Sequence, residues 1–234
     1  MNKFYKFIKG FFGWIFKKLY RVKVINREKE VKGQPYIVCC NHTALMDVTV
    51  ITANMETQVR YMAKKEIFGI PLIKHFFKAM GAIPVDRKSG DVGAIKKAVE
   101  CLKNGECVGV FPQGTRMPGK HPQDTEIKSG MGMFANRAGV GILPVCIRTK
   151  KHHLKLFRRT EFIIGDFIPA EELAFPELSG REKYQKIADY AFERVIDLYN
   201  NTPSYKEIKK QKKLEEQERK LQEKQAKQAA KEAK

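Results

Sequence analysis

The sequence predicts an α/β fold in which a single domain is built on a largely parallel sheet flanked by helices. Seven short runs of β-favouring residues alternate with helical stretches between residues 22 and 202, which is typical of parallel strands joined by helical crossovers. A length of 234 residues favours one sizeable domain. Hydrophobic residues at 43% and charged residues at 30% provide a core, and they exclude a disordered or collagen-like chain.

The composition changes twice along the chain and so indicates its organisation. We expect an amphipathic helix over residues 1–21, the α/β domain over residues 22–202 and a charged, low-complexity tail over residues 203–234. The predicted strands of the domain are, in order, VKVI, YIVCC, VRYMA, AIPV, CVGVF, ILPVCI and EFIIG. Helices are predicted after Asp47 and over residues 67–80, 91–103, 129–138 and 181–200.

The first 21 residues predict a helix with an apolar face and a basic face. Residues 1–25 contain seven basic residues and no acidic one, and large apolar side chains gather opposite the lysines on a helical wheel. Such a helix suits the headgroup region of an anionic leaflet, and packing on its own domain is the alternative. The longest charge-free run, residues 33–46, is shorter than the roughly 18 to 20 residues of a membrane span. We therefore expect a retained N-terminus and peripheral or monotopic contact with the cytoplasmic face of the cell membrane.

The formal net charge of +19 points to an anionic partner, which nucleic acid, a membrane surface or a phosphorylated substrate would satisfy. The basic residues concentrate at the two ends of the chain, and no DNA or RNA recognition motif is present. We therefore expect no nucleic-acid partner, and we keep a non-enzymatic nucleic-acid-binding protein as the alternative. The five cysteines, two of them adjacent, indicate free thiols in a reducing compartment.

The tail beyond residue 203 is too polar to bury a core of its own. It contains eleven basic residues, six acidic residues and only three large aliphatic ones. We predict a solvated helix there, with a marginal coiled coil or a second lipid contact as alternatives.

A histidine and an aspartate follow the second predicted strand in the segment NHTALMD. His42 and Asp47 are five residues apart across a strand-to-helix turn, the place where α/β sheets bind ligands. At that spacing the carboxylate can accept from one imidazole nitrogen and leave the other free to remove a proton. The alternative is that Asp47 only caps the helix and His42 is an ordinary turn residue.

Two arginines follow the ends of two further predicted strands. Arg87 ends the segment GAIPVDR, and Arg116 ends FPQGTR beside a glycine and a hydroxyl, Gly114 and Thr115. Guanidinium groups that converge from separate strands bind a phosphate in bidentate fashion. As isolated residues both arginines would be ordinary surface cations.

The order of these segments resembles the glycerolipid acyltransferase family, whose best-known members act on 1-acyl-glycerol-3-phosphate. The family's NH-x4-D block stands here as NHTALMD, its G-x-I-x-x-x-R block as GAIPVDR, its FPEGTR block as FPQGTR and its proline-centred apolar block as ILPVCI. The similarity covers residues 35–147 and includes the stretch YMAKKEIFGIP between the first two blocks. Four ordered blocks are a specific signal.

The resemblance assigns a role to each matching position. It implies that His42 is the general base and that Asp47 orients it. The remaining implied site residues are Arg87, Arg116, Lys64, Gly114 and Thr115 at the acceptor phosphate, and Pro144 in the wall of the acyl site. One departure is Gln113, which stands where the family has glutamate and lacks its charge; another is Met117, which replaces the serine that often follows the arginine.

The activity implied by the resemblance is transfer of a fatty acyl group from an acyl thioester to the sn-2 hydroxyl of lysophosphatidic acid, giving phosphatidic acid. The expected co-substrate is acyl-coenzyme A or acyl-acyl carrier protein, so acyl carrier protein is a possible partner, and no metal or other cofactor is expected. Glycerol-3-phosphate or another lysolipid is the alternative acceptor. Two chemical alternatives stay open: Cys40 as an acylated nucleophile beside His42, and a zinc site formed by cysteines and histidines.

Overall fold

A computed structural model describes residues 3–69, 74, 77, 81–85 and 92–232. The α/β prediction is confirmed, because the described residues form one seven-stranded sheet flanked by helices. The strands are β1 Val22–Ile25, β2 Tyr36–Cys40, β3 Val59–Lys64, β4 Ile83–Val85, β5 Cys107–Val110, β6 Gly141–Thr149 and β7 Thr160–Ile164. The helices of the described residues are α1 Lys3–Leu19, α2 Asp47–Asn54, α3 Val92–Lys103, α4 Gly130–Ala138, α5 Gly180–Asn201 and α6 Tyr205–Glu232.

Each predicted strand is present, and the helices expected after residue 47 and near residues 91–103, 129–138 and 181–200 are present within one or two residues. The predicted helix over 67–80 falls mostly outside the described residues, and the described Lys65–Gly69 stretch is a 3-10 helix.

The sheet has the strand order β1-β7-β6-β2-β5-β3-β4. All neighbouring pairs are parallel except β6 and β7, which run antiparallel. The central strands β2 and β5 are buried along their whole length. Such near-continuous apolar runs are expected where helices cover both faces of a parallel sheet.

The chain leaves β2 for one side of the sheet and later returns through β5 to reach β6 on the other side. Because β2, β5 and β6 are parallel, the segments that follow them emerge at the same edge, which we call the carboxyl edge. This change of direction is the place where open α/β sheets bind ligands. The carboxyl edge therefore brings together the first and third sequence blocks.

The N-terminal helix α1 covers part of its own domain. A Cβ added to the buried Gly13 would lie 3.5 Å from Ala53 in α2, and Phe16 and Leu19 pack against the core. Trp14 remains exposed, with the ammonium of Lys18 4.0 Å from its ring centre. The helix thus packs on its own domain, as the alternative interpretation expects, and its contact with a membrane stays a prediction. Among the described residues, no helix combines the length and the apolar character needed to cross a bilayer.

Residues 202–234 form a separate compact unit that contains α6. Its start carries a reciprocal cap, because the Ser204 N–H donates to the Glu207 carboxylate while the Glu207 N–H donates to the Ser204 hydroxyl. Glu216 and Lys220 form an ion pair at 2.7 Å one turn apart on its surface. The tail is therefore the charged helix that its composition predicts.

Candidate active site

His42 and Asp47 meet as the sequence predicts. Strand β2 ends at Cys40, the chain turns, and Asp47 begins α2, so both side chains sit at the carboxyl edge of the sheet. His42 Nδ1 lies 2.9 Å from Asp47 Oδ2. An ionised carboxylate only accepts hydrogen bonds, so Nδ1 carries the proton and Nε2 is the basic nitrogen. Among the described residues Nε2 has no hydrogen-bond partner, and it is free to receive a substrate proton.

The Asp47 carboxylate is fully buried and surrounded by donors. Besides the imidazole, its Oδ2 accepts from the backbone N–H of Thr43 at 2.5 Å and of Ala44 at 2.8 Å, and its Oδ1 accepts from the Thr43 hydroxyl at 3.3 Å. A buried charge with this many donors is held in one orientation. Asp47 therefore shapes the turn and orients the imidazole. The alternative that it only caps α2 is wrong, because Met46 is the N-cap residue and the Asp47 carboxylate accepts from residues that precede the helix.

Asn41 fixes the start of this turn to the neighbouring strand β6. Its side-chain Nδ2 donates to the Ile147 carbonyl at 3.0 Å, and its Oδ1 accepts from the Ile147 N–H at 2.9 Å. The amide is buried and uses both of its functional groups on one backbone residue. The residue before the histidine is thus held in a defined position.

The imidazole plane is fixed by aromatic stacking. Phe111, the first residue after β5, stacks on His42 with ring centres 4.0 Å apart and an interplanar angle of 16°. Tyr61 also stacks on Phe111, with ring centres 6.2 Å apart, and it lies against Gly109, where a Cβ would lie 2.2 Å from the tyrosine ring. Sequence reasoning gave Phe111 no role, although it is the first letter of the FPQGTR block and follows the strand paired with β2.

Gln113 joins the third block to the histidine backbone. Its Oε1 accepts from the His42 N–H at 2.6 Å, and its Nε2 donates to the Thr125 hydroxyl at 2.9 Å. That hydroxyl in turn donates to the Pro122 carbonyl at 2.6 Å. The buried amide uses both its acceptor and its donor. A glutamate here could also accept from the His42 N–H, but its second oxygen would have to accept a hydrogen bond from the Thr125 hydroxyl. Holding the histidine therefore requires a hydrogen-bond acceptor at this position and no negative charge.

The segment from Gly114 to Arg116 is anchored on the histidine at both ends. Gln113 precedes it, and the Met117 N–H that follows it donates to the His42 carbonyl at 2.8 Å. Gly114 has φ +70°, the left-handed conformation that favours glycine, and a Cβ there would lie 3.1 Å from the Lys128 side chain. Thr115 and Arg116 are exposed. We call residues 114–116 the third-block turn.

The other predicted site residues lie within strands or outside the described residues. Lys64 ends β3, where its Cα pairs with Val85 of β4. Arg87 lies outside the described residues. Pro144 is buried in β6 opposite Cys39 of β2. Their roles at the phosphate and the acyl chain stay predictions.

All five cysteines are free thiols, as the sequence predicts, and all five are buried. Burial, with a smaller contribution from the nearby Asp47 charge, raises the pKa of the Cys40 thiol well above its ordinary value. Thiolate is the nucleophilic form of cysteine, so this thiol is a poor candidate for an acylated nucleophile. Within the described ranges no three His, Cys, Asp or Glu side chains cluster as metal ligands.

Comparisons with known proteins identify the family of the chain. The family model described as Acyltransferase matches residues 21–148. A 1-acyl-sn-glycerol-3-phosphate acyltransferase of Bacillus subtilis (strain 168) is 30% identical over 182 residues, which cover 76% of this chain and 88% of the relative. A second, from Borreliella burgdorferi, is 31% identical over 130 residues, which cover 54% of this chain and 51% of that protein.

The fold has a counterpart among solved structures. The crystal structure of the 1-acyl-sn-glycerophosphate (LPA) acyltransferase PlsC from Thermotoga maritima superimposes with a TM-score of 0.64 at 27% identity, over 86% of this chain and 80% of that one. The family model and these relatives agree with the four sequence blocks. The chain belongs to the acyltransferase family and is an enzyme of that family.

Proposed function

We propose that the protein transfers a fatty acyl group from an acyl thioester to the sn-2 hydroxyl of 1-acyl-glycerol-3-phosphate, giving phosphatidic acid. The observation that carries this proposal is the arrangement around His42. Its ring is oriented by Asp47, and its backbone N–H and carbonyl hold the third-block turn on either side. The names of the relatives from Bacillus subtilis and Thermotoga maritima support this acceptor.

In this mechanism His42 acts as general base and then as general acid. The acceptor oxygen forms a bond to the thioester carbonyl carbon while Nε2 takes the hydroxyl proton, and Asp47 stabilises the imidazolium. Collapse of the tetrahedral intermediate breaks the C–S bond, and the leaving thiolate takes the proton from the imidazolium. The histidine returns to its starting form, and no covalent enzyme intermediate is required.

The oxyanion of the intermediate needs hydrogen-bond donors close to the imidazole. The backbone N–H groups of the first block beside the imidazole are already engaged, since His42 donates to Gln113, and Thr43 and Ala44 donate to Asp47. Within the described chain, the N–H groups of Thr115 and Arg116 donate to no other group. We therefore assign the oxyanion donors to the third-block turn rather than to the first block.

The acceptor phosphate is assigned to the same turn. The Arg116 guanidinium is exposed and, in the part of the chain that the structure describes, makes no ion pair with a protein carboxylate. A cation of this kind is available for a phosphate. Arg87 and Lys64 complete the phosphate contacts in our proposal on the strength of the sequence resemblance.

The proposed setting is the cytoplasmic face of the cell membrane, because the acceptor and the product both reside in a bilayer. The amphipathic α1 supports peripheral attachment. Acyl-coenzyme A and acyl-acyl carrier protein are both proposed donors.

The direct test is an assay of the purified full chain with paired acceptors and both donor types. We expect radiolabelled acyl groups to appear in phosphatidic acid when 1-acyl-glycerol-3-phosphate is supplied. Faster acylation of glycerol-3-phosphate would replace the proposed acceptor by the alternative. Salt-sensitive binding to nucleic acid without any acyl transfer would overturn the proposal.

A further inference from the structure

The connection between β6 and β7 exposes two large apolar side chains among cations. Leu156 is 49% exposed and Phe157 is 68% exposed. Lys155 precedes them, Arg158 and Arg159 follow, and all three are exposed. Single exposed apolar side chains are ordinary, whereas adjoining ones that are rimmed by polar residues mark interaction sites. We call residues 155–159 the KLFRR loop.

The backbone of the KLFRR loop is held in a conformation that keeps Phe157 outward. Phe157 has φ +61°, a left-handed conformation that is costly for a bulky side chain. Its N–H donates to the carbonyl of Leu19, the last residue of α1, at 2.6 Å. The loop is therefore fastened to the end of the N-terminal helix, and the exposure of Phe157 is a built feature of the fold.

The topology places the loop at the edge that carries the active site. Strand β6 runs parallel to β2, so its last residue, Thr149, lies at the carboxyl edge, as does the turn with His42. Thr160 begins β7 opposite Thr149, so the intervening loop emerges at that edge. Thr160 also pairs with Val22, the first residue of β1, which brings the end of α1 to the same edge.

The two segments that meet at the loop carry only positive charge. Residues 1–25 and 150–160 contain no acidic residue. The exposed cations of the two joined segments include Lys17, Lys18, Arg21, Lys155, Arg158 and Arg159. Trp14, 60% exposed on α1, adds a third large apolar side chain. Cations around exposed apolar side chains match the layering of an anionic leaflet, with phosphates outside and acyl chains beneath.

We propose that the KLFRR loop is a second membrane-contacting element beside α1. Leu156 and Phe157 enter the acyl region of an anionic bilayer, while Lys155, Arg158 and Arg159 bind lipid phosphates. The carboxyl edge with His42 then lies at the membrane surface, where a lipid acceptor resides. The inference rests on the proposed function only for the nature of that acceptor. An acidic protein would satisfy the cations but would leave the adjacent apolar pair without a hydrocarbon environment.

Vesicle binding by the full chain tests the loop directly. The variant Leu156→Ser/Phe157→Ser is compared with a matched control in the tail, Leu214→Ser/Leu221→Ser, whose side chains are 49% and 56% exposed. On vesicles of phosphatidylcholine and phosphatidylglycerol we expect the loop variant to bind at least about tenfold more weakly than wild type, and the control to bind like wild type. Equal binding by the loop variant, with an unchanged unfolding midpoint, would overturn the proposal.

A fluorescence measurement reports insertion without removing the apolar side chain. Trp14 is the only tryptophan, so Phe157→Trp in a Trp14→Phe background places a single reporter in the loop. We expect its emission to shift to the blue on anionic vesicles and to be quenched by lipids brominated in the acyl chain. An unshifted, unquenched emission on bound protein refutes insertion.

Both measurements are independent of acyl transfer, so a failure of the proposed function leaves their results interpretable. One further outcome would reassign the loop. If the Ser variant binds vesicles like wild type but has a raised KM for donor carried on acyl carrier protein, the loop docks an acidic protein and the membrane proposal is wrong.

Discussion

The two halves of the candidate site are built in different ways. On the base side Asp47 is fully buried, accepts four hydrogen bonds from three residues and fixes an imidazole that also stacks on Phe111. On the acceptor side Thr115 and Arg116 are exposed and only the ends of their turn are tied down. The proposed base is therefore held in place by the protein alone, whereas the proposed phosphate contacts lie on side chains that the protein leaves exposed. Variants on the two sides should differ in which kinetic constant they change.

The largest effect is expected for His42→Ala. Removing the general base should lower kcat by about 10² to 10⁴ while the acceptor KM changes little. The protein should still fold, because the ring is at the surface end of the core and Asp47 keeps its bonds to Thr43 and Ala44. Steady-state kinetics with a circular dichroism control measure this. Turnover at the wild-type rate would remove His42 from the mechanism.

On the acceptor side, Arg116→Ala should raise the acceptor KM by about 10- to 100-fold, which corresponds to the loss of one charged hydrogen bond to phosphate. The acceptor KM of Arg116→Lys should lie between those of Arg116→Ala and wild type, since an ammonium keeps the charge but not the bidentate geometry. Arg137→Ala is the control, because this exposed arginine lies in the last turn of α4, at the opposite edge of the sheet. A loss confined to kcat would contradict a phosphate role.

Variants of Gln113 test how the base side and the acceptor side of the site are connected. Gln113→Ala leaves the His42 N–H and the Thr125 hydroxyl without this partner and should lower the free energy of unfolding by about 1 to 3 kcal/mol, with a fall in kcat. Gln113→Glu should restore most of the free energy of unfolding and most of kcat, because its carboxylate still accepts from the His42 N–H. Chemical denaturation and kinetics on the three proteins check this. Equal losses in the Ala and Glu variants would show that the amide donor, not the acceptor, positions the histidine.

The smallest effect is expected for Cys40→Ser, which should retain activity within a few-fold. The raised thiol pKa keeps Cys40 protonated through neutral and mildly alkaline pH, so no thiolate is available and activity should resist iodoacetamide at pH 8. Mass spectrometry after incubation with the thioester should detect no acylated Cys40. A trapped acyl-cysteine together with an inactive serine variant would favour covalent catalysis.

The sequence predicted the features that repeat along the chain or lie close together in it. Apolar runs predicted seven strands, and the five-residue spacing of His42 and Asp47 predicted their contact, because a single turn joins them. The stacking of Phe111 and the bonds of Gln113 were not predicted, since they depend on the alignment of β2 against β5, which no local pattern reveals. The KLFRR loop was also missed, because exposure of Phe157 follows from its backbone conformation and its bond to Leu19 rather than from its type.

The paired hydrogen bonds between Asn41 and Ile147 have a consequence for substrate selection. Through the Asn41 side chain they continue the pairing of β2 with β6 beyond the last backbone pair. A displacement of β6 would therefore also move Asn41, the residue that precedes His42. Pro144, assigned by resemblance to the acyl wall, lies three residues earlier on that strand. An acyl chain too bulky for the wall would thus misalign the base as well as bind poorly. Discrimination between chain lengths would then appear in turnover as much as in affinity.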